Sequence, residues 1–205
     1  MLVQTVKASQ TTVTVFTRDG FRVEGQMLSP GFSMVPGWHV TSNLTVQRYG
    51  SETDVPSADS PGPGLRGTHF FTGESCCMLS ASDQMCELSA IAVTVASGGV
   101  PYQTSAYLGG VSSQSGVAFF RVRFLDSQSN PINEVLLGPV TAEDRTNRTA
   151  LLIRSAAGYL PRQTRRVQST VTTTRDWLVH GFVDNVSFIL LPNTAFAECF
   201  RLWKP

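Results

Sequence analysis

An Asp-Asn pair, Asp184-Asn185, stands inside the otherwise apolar run Phe182-Val-Asp-Asn-Val-Ser-Phe-Ile-Leu-Leu191. The run alternates as a strand does. Phe182, Asp184, Val186 and Phe188 fall on one side, and Val183, Asn185, Ser187 and Ile189 on the other. Pro192 ends it, because proline cannot donate to a ladder. A carboxylate and a carboxamide in such a strand need a strand end, a polar partner or a cation. Hydrolysis would need more: two converging carboxylates, or a nucleophile with its base. Glu143-Asp144, beside Arg145, belongs to Thr141-Ala-Glu-Asp144, which reads as a capping box opening one helical turn. Ser113, Ser115 and His180 can be written down as a triad, but neither serine lies in a nucleophile-elbow pattern. These residues point away from an enzyme.

Sugar recognition uses aromatic faces together with polar side chains. Trp38, Tyr49, Tyr107, Trp177 and His69 are the candidates. Trp38 and Tyr107 lie in alternating, core-like segments, whereas Trp177 adjoins an expected loop and is the best surface aromatic. Four cysteines, Cys76, Cys77, Cys86 and Cys199, contain no CxxC pair, and His39, His69 and His180 are scattered, which argues against zinc. In an oxidising compartment the four allow two disulfides in three connectivities; otherwise they are free thiols. If residues 76 and 77 are extended, their side chains diverge and take different partners. Sequons stand at Asn43, Asn147 and Asn185, of which Asn43 and Asn147 would carry glycans in a secreted eukaryotic protein. Asn43 and Asn147 fall in expected turns, Asn185 inside a strand.

These side chains must be held by a scaffold, and composition limits which. The chain has 205 residues, 41% hydrophobic and 15% charged, with a net charge of +1. That is enough to bury a core, and the surface relies on Ser, Thr, Asn and Gln. The charge supplies no field to draw in nucleic acid or an anionic membrane, and Arg162, Arg165 and Arg166 read as a solvated turn. No apolar run approaches the ~20 residues of a membrane helix. The first ten residues lack the apolar core of a signal peptide. The chain is then either not secreted by that route, or an internal piece or mature form of something longer.

Strand and turn signals recur throughout. Thr11–Phe16 and Phe21–Glu24 flank Asp19-Gly20 as a hairpin, or as strands added to a sheet edge. His39–Tyr49 reads as two strands with a turn at Ser42-Asn43. Residues 50–67 form a loop long enough to be functional or self-packed. Further strands are expected at 69–73, 77–88, 102–108, 117–125, 134–140, 150–155 and 165–174, with a strand end or helical turn at 91–95. About ten short strands with regular turns indicate an all-β, two-sheet antiparallel sandwich with short helical turns.

Several segments together are more specific: Pro36-Gly-Trp-His-Val40, Val46-Gln-Arg-Tyr-Gly50, Pro61 to Gly73, Tyr107-Leu-Gly-Gly110, Phe124-Leu-Asp126, Leu137 to Ala142, Leu151-Leu-Ile-Arg-Ser155, Pro161 and Val183-Asp-Asn-Val-Ser187. In this order they resemble extracellular jelly-roll domains related to carbohydrate-binding modules and galactose-binding-like folds. The resemblance covers residues 29–191. It leaves residues 1–28 as an N-terminal hairpin or arm and residues 192–205 as a C-terminal aromatic tail. It implies a jelly roll and a non-catalytic binding or adhesion role, toward glycans or a partner protein, outside the cell. It also implies a structural calcium. Asp184 matches the acidic position, the family's Asn-Gly-x-x-Glu entry motif is not recognisable, and Glu24 is the substitute ligand. The alternative is a structural subunit of an extracellular appendage or virion tail, its neighbours met through residues 1–28 and 192–205.

Overall fold

The computed structural model describes residues 2–7, 10–15, 38–64, 66–176 and 179–191. In chain order the elements are β1 (Leu2–Lys7), β2 (Gln10–Val15), β3 (His39–Ser42), β4 (Leu44–Arg48), β5 (His69–Gly73) and β6 (Leu79–Glu87). A 3-10 turn (Ser89–Ile91) and α1 (Ala92–Ser97) follow, then β7 (Pro101–Gly110), β8 (Ala118–Leu125) and β9 (Pro131–Leu137). The chain continues through β10 (Ala150–Tyr159), β11 (Arg166–Asp176), β12 (Val179–His180) and β13 (Phe182–Leu190). One sheet runs β10-β7-β13-β1-β2, with β5 also on β13 and β4 on β5; the other runs β3-β6-β11-β8-β9, with β12 on β11. The strand pairs are antiparallel, giving the expected all-β two-sheet sandwich.

Alternation decides what each strand buries. In β8, Ala118, Phe120, Val122 and Phe124 face the core, while Phe119, Arg121 and Arg123 are half-exposed. The main core between the sheets joins these to Phe71, Tyr102, Leu108, Val171 and Phe188. Between β3 and β4 the chain changes sheets, since β3 pairs with β6 and β4 with β5. Asn43, at φ 34°, makes the corner, a left-handed conformation that Asn tolerates better than most residues.

Simple alternation fails in β13. Its register on β7 steps from Asp184↔Tyr107 to Ser187↔Ser105, so β13 holds one extra residue. Asn185 has φ 47°, as the left-handed residue of a bulge does. The extra residue reverses the faces. Val183 joins Val186, Phe188 and Leu190 in the main core, and Phe182 turns to a second cluster with Val55, Phe70, Val111 and Leu151. On its other side β13 pairs with β5 at Val183 and with β1 from Val186 onward.

The N-terminal hairpin forms earlier in the chain than Asp19-Gly20 suggests. β2 pairs with the upstream β1, from Lys7↔Gln10 to Leu2↔Val15. Leu2–Lys7 carries β-branched Val3, Thr5 and Val6, and closing over two intervening residues costs little loop entropy. Phe21–Glu24 and the 192–205 tail lie outside the described residues.

Candidate functional site

The β4–β5 hairpin sets Arg48 opposite His69. Together with Val46, Gln47, Ser51, Glu52 and Thr68, these residues line an open cleft of about 450 Å³, within the range of small-ligand sites. The Thr68 hydroxyl and His69 Nδ1 share a hydrogen bond of 2.8 Å. Burial, and then the Arg48 charge, lower the His69 pKa, so its imidazole is neutral near pH 7. No ion pair joins Arg48 or Glu52 to another described residue. The cleft thus offers a guanidinium, a carboxylate, an imidazole, a carboxamide and hydroxyls around one space. That set suits a ligand rich in hydroxyl groups.

Behind the cleft, Tyr49 turns inward. Its hydroxyl donates to Asp184 Oδ2 at 2.8 Å, and the Asn185 N–H donates to Asp184 Oδ1 at 2.7 Å. Asp184 is fully buried. The Tyr49 ring packs on Phe70 at 4.9 Å and lies under the Arg66 guanidinium at 5.3 Å. Burial, then the Asp184 charge and hydrogen bond, push the Tyr49 pKa far above its ordinary value, against a smaller opposing effect of Arg66. Asp184 therefore has a polar partner in a tyrosine 135 residues away.

Calcium takes six to eight oxygen ligands. Among the described residues no group of three or more His, Cys, Asp or Glu is placed to hold a metal ion. Each Asp184 oxygen accepts a hydrogen bond from within the chain. Glu24 lies outside the described residues.

Among the described aromatic candidates, Tyr49 and Tyr107 pack against the second cluster and Trp38 lies in the main core. Trp38 is 4% exposed, with Phe71 at 5.4 Å. His69 lines the cleft, Tyr49 lies behind it, and Trp177 is outside the described residues. Asn43 and Asn147 are exposed with left-handed backbones, Asn147 in its expected turn and Asn43 at the corner where the chain changes sheets rather than in a turn between paired strands. At the capping box, Asp144 accepts from the Thr141 N–H and hydroxyl, and the Asp144 N–H donates to Thr141 Oγ1. Arg154 Nη2 sits 3.2 Å from Asp144. That pair is a cap, as its spacing suggests.

Two arginines carry structure that no local pattern announces. Arg145, 2% exposed, donates to the carbonyls of Val140, Val111, Ser112, Gln114 and Arg148, and so ties two loops together. Arg66 donates to the carbonyls of Pro63, Ser57 and Ser60 and holds the 50–67 loop in shape. The Leu151 N–H donates to Pro61 O, which ties that loop to the edge of β10, and Val55 of the same loop packs in the second cluster with Phe70, Leu151 and Phe182.

The cysteines depart from the expected pattern. Cys76, Cys77 and Cys86 are free thiols, and Cys199 lies outside the described residues. Cys76 and Cys77 do not diverge. The Cys77 N–H donates to Glu74 O at 3.2 Å, which makes a turn rather than a strand, and their sulfurs lie 2.9 Å apart. Strand alternation does not apply to residues in a turn.

No family model and no curated protein matches the chain. Among solved structures, the enzymatically active domain of bacteriophage CBA120 tailspike protein 4 is similar in fold, with a TM-score of 0.51 and 15% identity. The match covers 80% of this chain and only 20% of that one. A TmCBM61 module solved in complex with beta-1,4-galactotriose has a TM-score of 0.47 at 13% identity, over 78% of this chain and 92% of that one. The structure described as family 16 carbohydrate binding module-2 has 0.46 at 11%, over 73% and 86%.

Proposed function

We infer that this domain is a non-catalytic glycan-binding module that works outside the cell. The observation that carries this reading is the open cleft beside His69, where Gln47 and Arg48 of β4 and Glu52 and Thr68 of the loop that follows present donors and acceptors. Directional polar groups on a strand pair can fix the hydroxyls of a sugar. The commitment of Asp144 to a capped turn supports a binding role over hydrolysis. Asn43 and Asn147, exposed at turns, are the proposed glycan carriers if the protein passes through a eukaryotic secretory route.

A glycan array followed by calorimetry tests the reading. Binding to an oligosaccharide, weakened about tenfold by His69→Ala or Arg48→Ala (about 1.4 kcal/mol), is expected. No signal on any glycan, or a signal unchanged in both variants, would remove the cleft from consideration. Release of reducing sugar would return the hydrolase. A second reading, a subunit of an extracellular or virion assembly, draws on β2, whose only partner among the described strands is β1. Such an edge suits strand addition, and a concentration-dependent mass in solution would favour it.

A further inference from the structure

The geometry points to a redox-active dithiol at Cys76 and Cys77, closed to a vicinal disulfide by exchange with a small disulfide such as glutathione disulfide. The site lies in the turn before β6, apart from the cleft. Its two sulfurs lie 2.9 Å apart, and Cys76 is exposed while Cys77 is half-exposed. The turn is anchored at both ends. The Glu74 N–H donates to Asn43 O at 3.1 Å, and the Cys77 N–H to Glu74 O.

The surroundings assign different roles to the two sulfurs. Asn43 Nδ2 donates to Cys77 Sγ at 2.7 Å and lies 3.9 Å from Cys76 Sγ. Cys76 Sγ instead faces the Glu74 carboxylate at 3.8 Å. Contact with Cys77, foremost, keeps the Cys76 thiol protonated above its ordinary range. With Cys76 held protonated beside a carboxylate, Cys77 is assigned as the attacking group and Cys76 as the resolving one.

Exchange runs in two displacements. The Cys77 thiolate attacks one sulfur of glutathione disulfide, forming a mixed disulfide and releasing one glutathione thiolate. Cys76 then loses its proton to solvent and attacks Cys77 Sγ. The Sγ–Sγ bond forms, and the second glutathione leaves with the bonding electron pair. Two protein thiols are oxidised, and one glutathione disulfide is reduced to two glutathiones. The same pair of sulfurs can bridge a trivalent arsenical, which gives a probe for the reduced state.

Intact-mass and peptide mapping of the full chain in glutathione redox buffers test this. Wild type and Cys86→Ser are expected to lose two thiols together, with the link mapped within the 74–77 turn. Cys76→Ser and Cys77→Ser are expected to stop, within that turn, at a single glutathione adduct. Phenylarsine oxide is expected to bind reduced wild type one to one at that turn, and to lose this binding in either variant or after oxidation. A link from Cys76 or Cys77 to Cys86 or Cys199 would overturn the assignment. So would one-to-one arsenical binding that survives Cys77→Ser. The arsenical result on wild type needs no variant to fold.

Discussion

The Tyr49 hydroxyl and Asp184 Oδ2, 2.8 Å apart, join the long loop to the closing strand. The bond exists because the bulge at Asn185 turns Asp184 away from the main core and toward the loop. A buried carboxylate loses hydration and needs donors in exchange. Removing the hydroxyl with Tyr49→Phe keeps the ring on Phe70 and takes one donor away. Urea unfolding is expected to show a loss of about 1–3 kcal/mol, the cost of weakening the satisfaction of a buried polar group. A loss below the error of the measurement would mean that the bond contributes nothing net.

The same pair bears on calcium. A carboxylate whose oxygens accept a tyrosine hydroxyl and a backbone N–H is already engaged. Melting curves with and without millimolar calcium are expected to coincide, because a ligand stabilises only the state that binds it. A rise of several degrees, abolished by Asp184→Asn, would establish a metal site.

Arg145 is the side chain on which two loops depend. Arg145→Met fills the space but leaves several buried carbonyls without a donor. The expected loss is about 3 kcal/mol or more, since hydrogen bonds from a charged group contribute about 1.5–3 kcal/mol each and are not additive. Chemical denaturation of the variant checks it. Arg66→Met is expected to act more locally, as faster proteolysis within residues 50–67.

Asp126 organises the β8–β9 turn. It accepts from the Gln128 N–H at 2.8 Å, the Asn130 N–H at 2.9 Å and Asn130 Nδ2 at 3.1 Å. The bonds from Asn130 are foremost in holding its pKa below the ordinary carboxylate value. A carboxylate depressed on folding stabilises above its unfolded pKa and loses that contribution as pH falls through its folded pKa. The stability difference between wild type and Asp126→Ala is therefore expected to be largest near pH 7 and to shrink as pH falls below the carboxylate range. A difference that does not change with pH would assign the effect to turn shape rather than charge.

Gly109 sits where β7 meets β10, and a Cβ there would fall 1.9 Å from Ala150 O. Both strands are fixed by a ten-residue ladder, so neither can withdraw cheaply. Gly109→Ala is expected to cost about 3 kcal/mol, the upper end of overpacking, read as a lowered midpoint in denaturant.

Much of the scaffold was legible locally. His69–Gly73 is a strand with the bounds its residues suggest, and β8 buries the face that its alternation selects. Thr141 and Asp144 form the capping box their spacing implies. The site was less legible. Aromatic type alone singled out Trp38 and Tyr49, yet one is core and the other lies behind the cleft. Arg48, Glu52 and Gln47 carried no distinguishing signal, because a cleft is made by which strands pair rather than by any one residue.

The amino-acid sequence by itself determined the all-β character, a turn at Ser42-Asn43 and the need of Asp184 for a polar partner. Those follow from period-two alternation, turn chemistry and the cost of a buried charge, all local terms. Tertiary structure decided the rest. A single extra residue at Asn185 reversed the faces of β13 and chose Tyr49 as the partner of Asp184. A tight turn set Cys76 against Cys77 where an extended chain would part them. Carbonyls from separate loops converged on Arg145. Each of these depends on register or on contacts far apart in the chain, which local propensity does not encode.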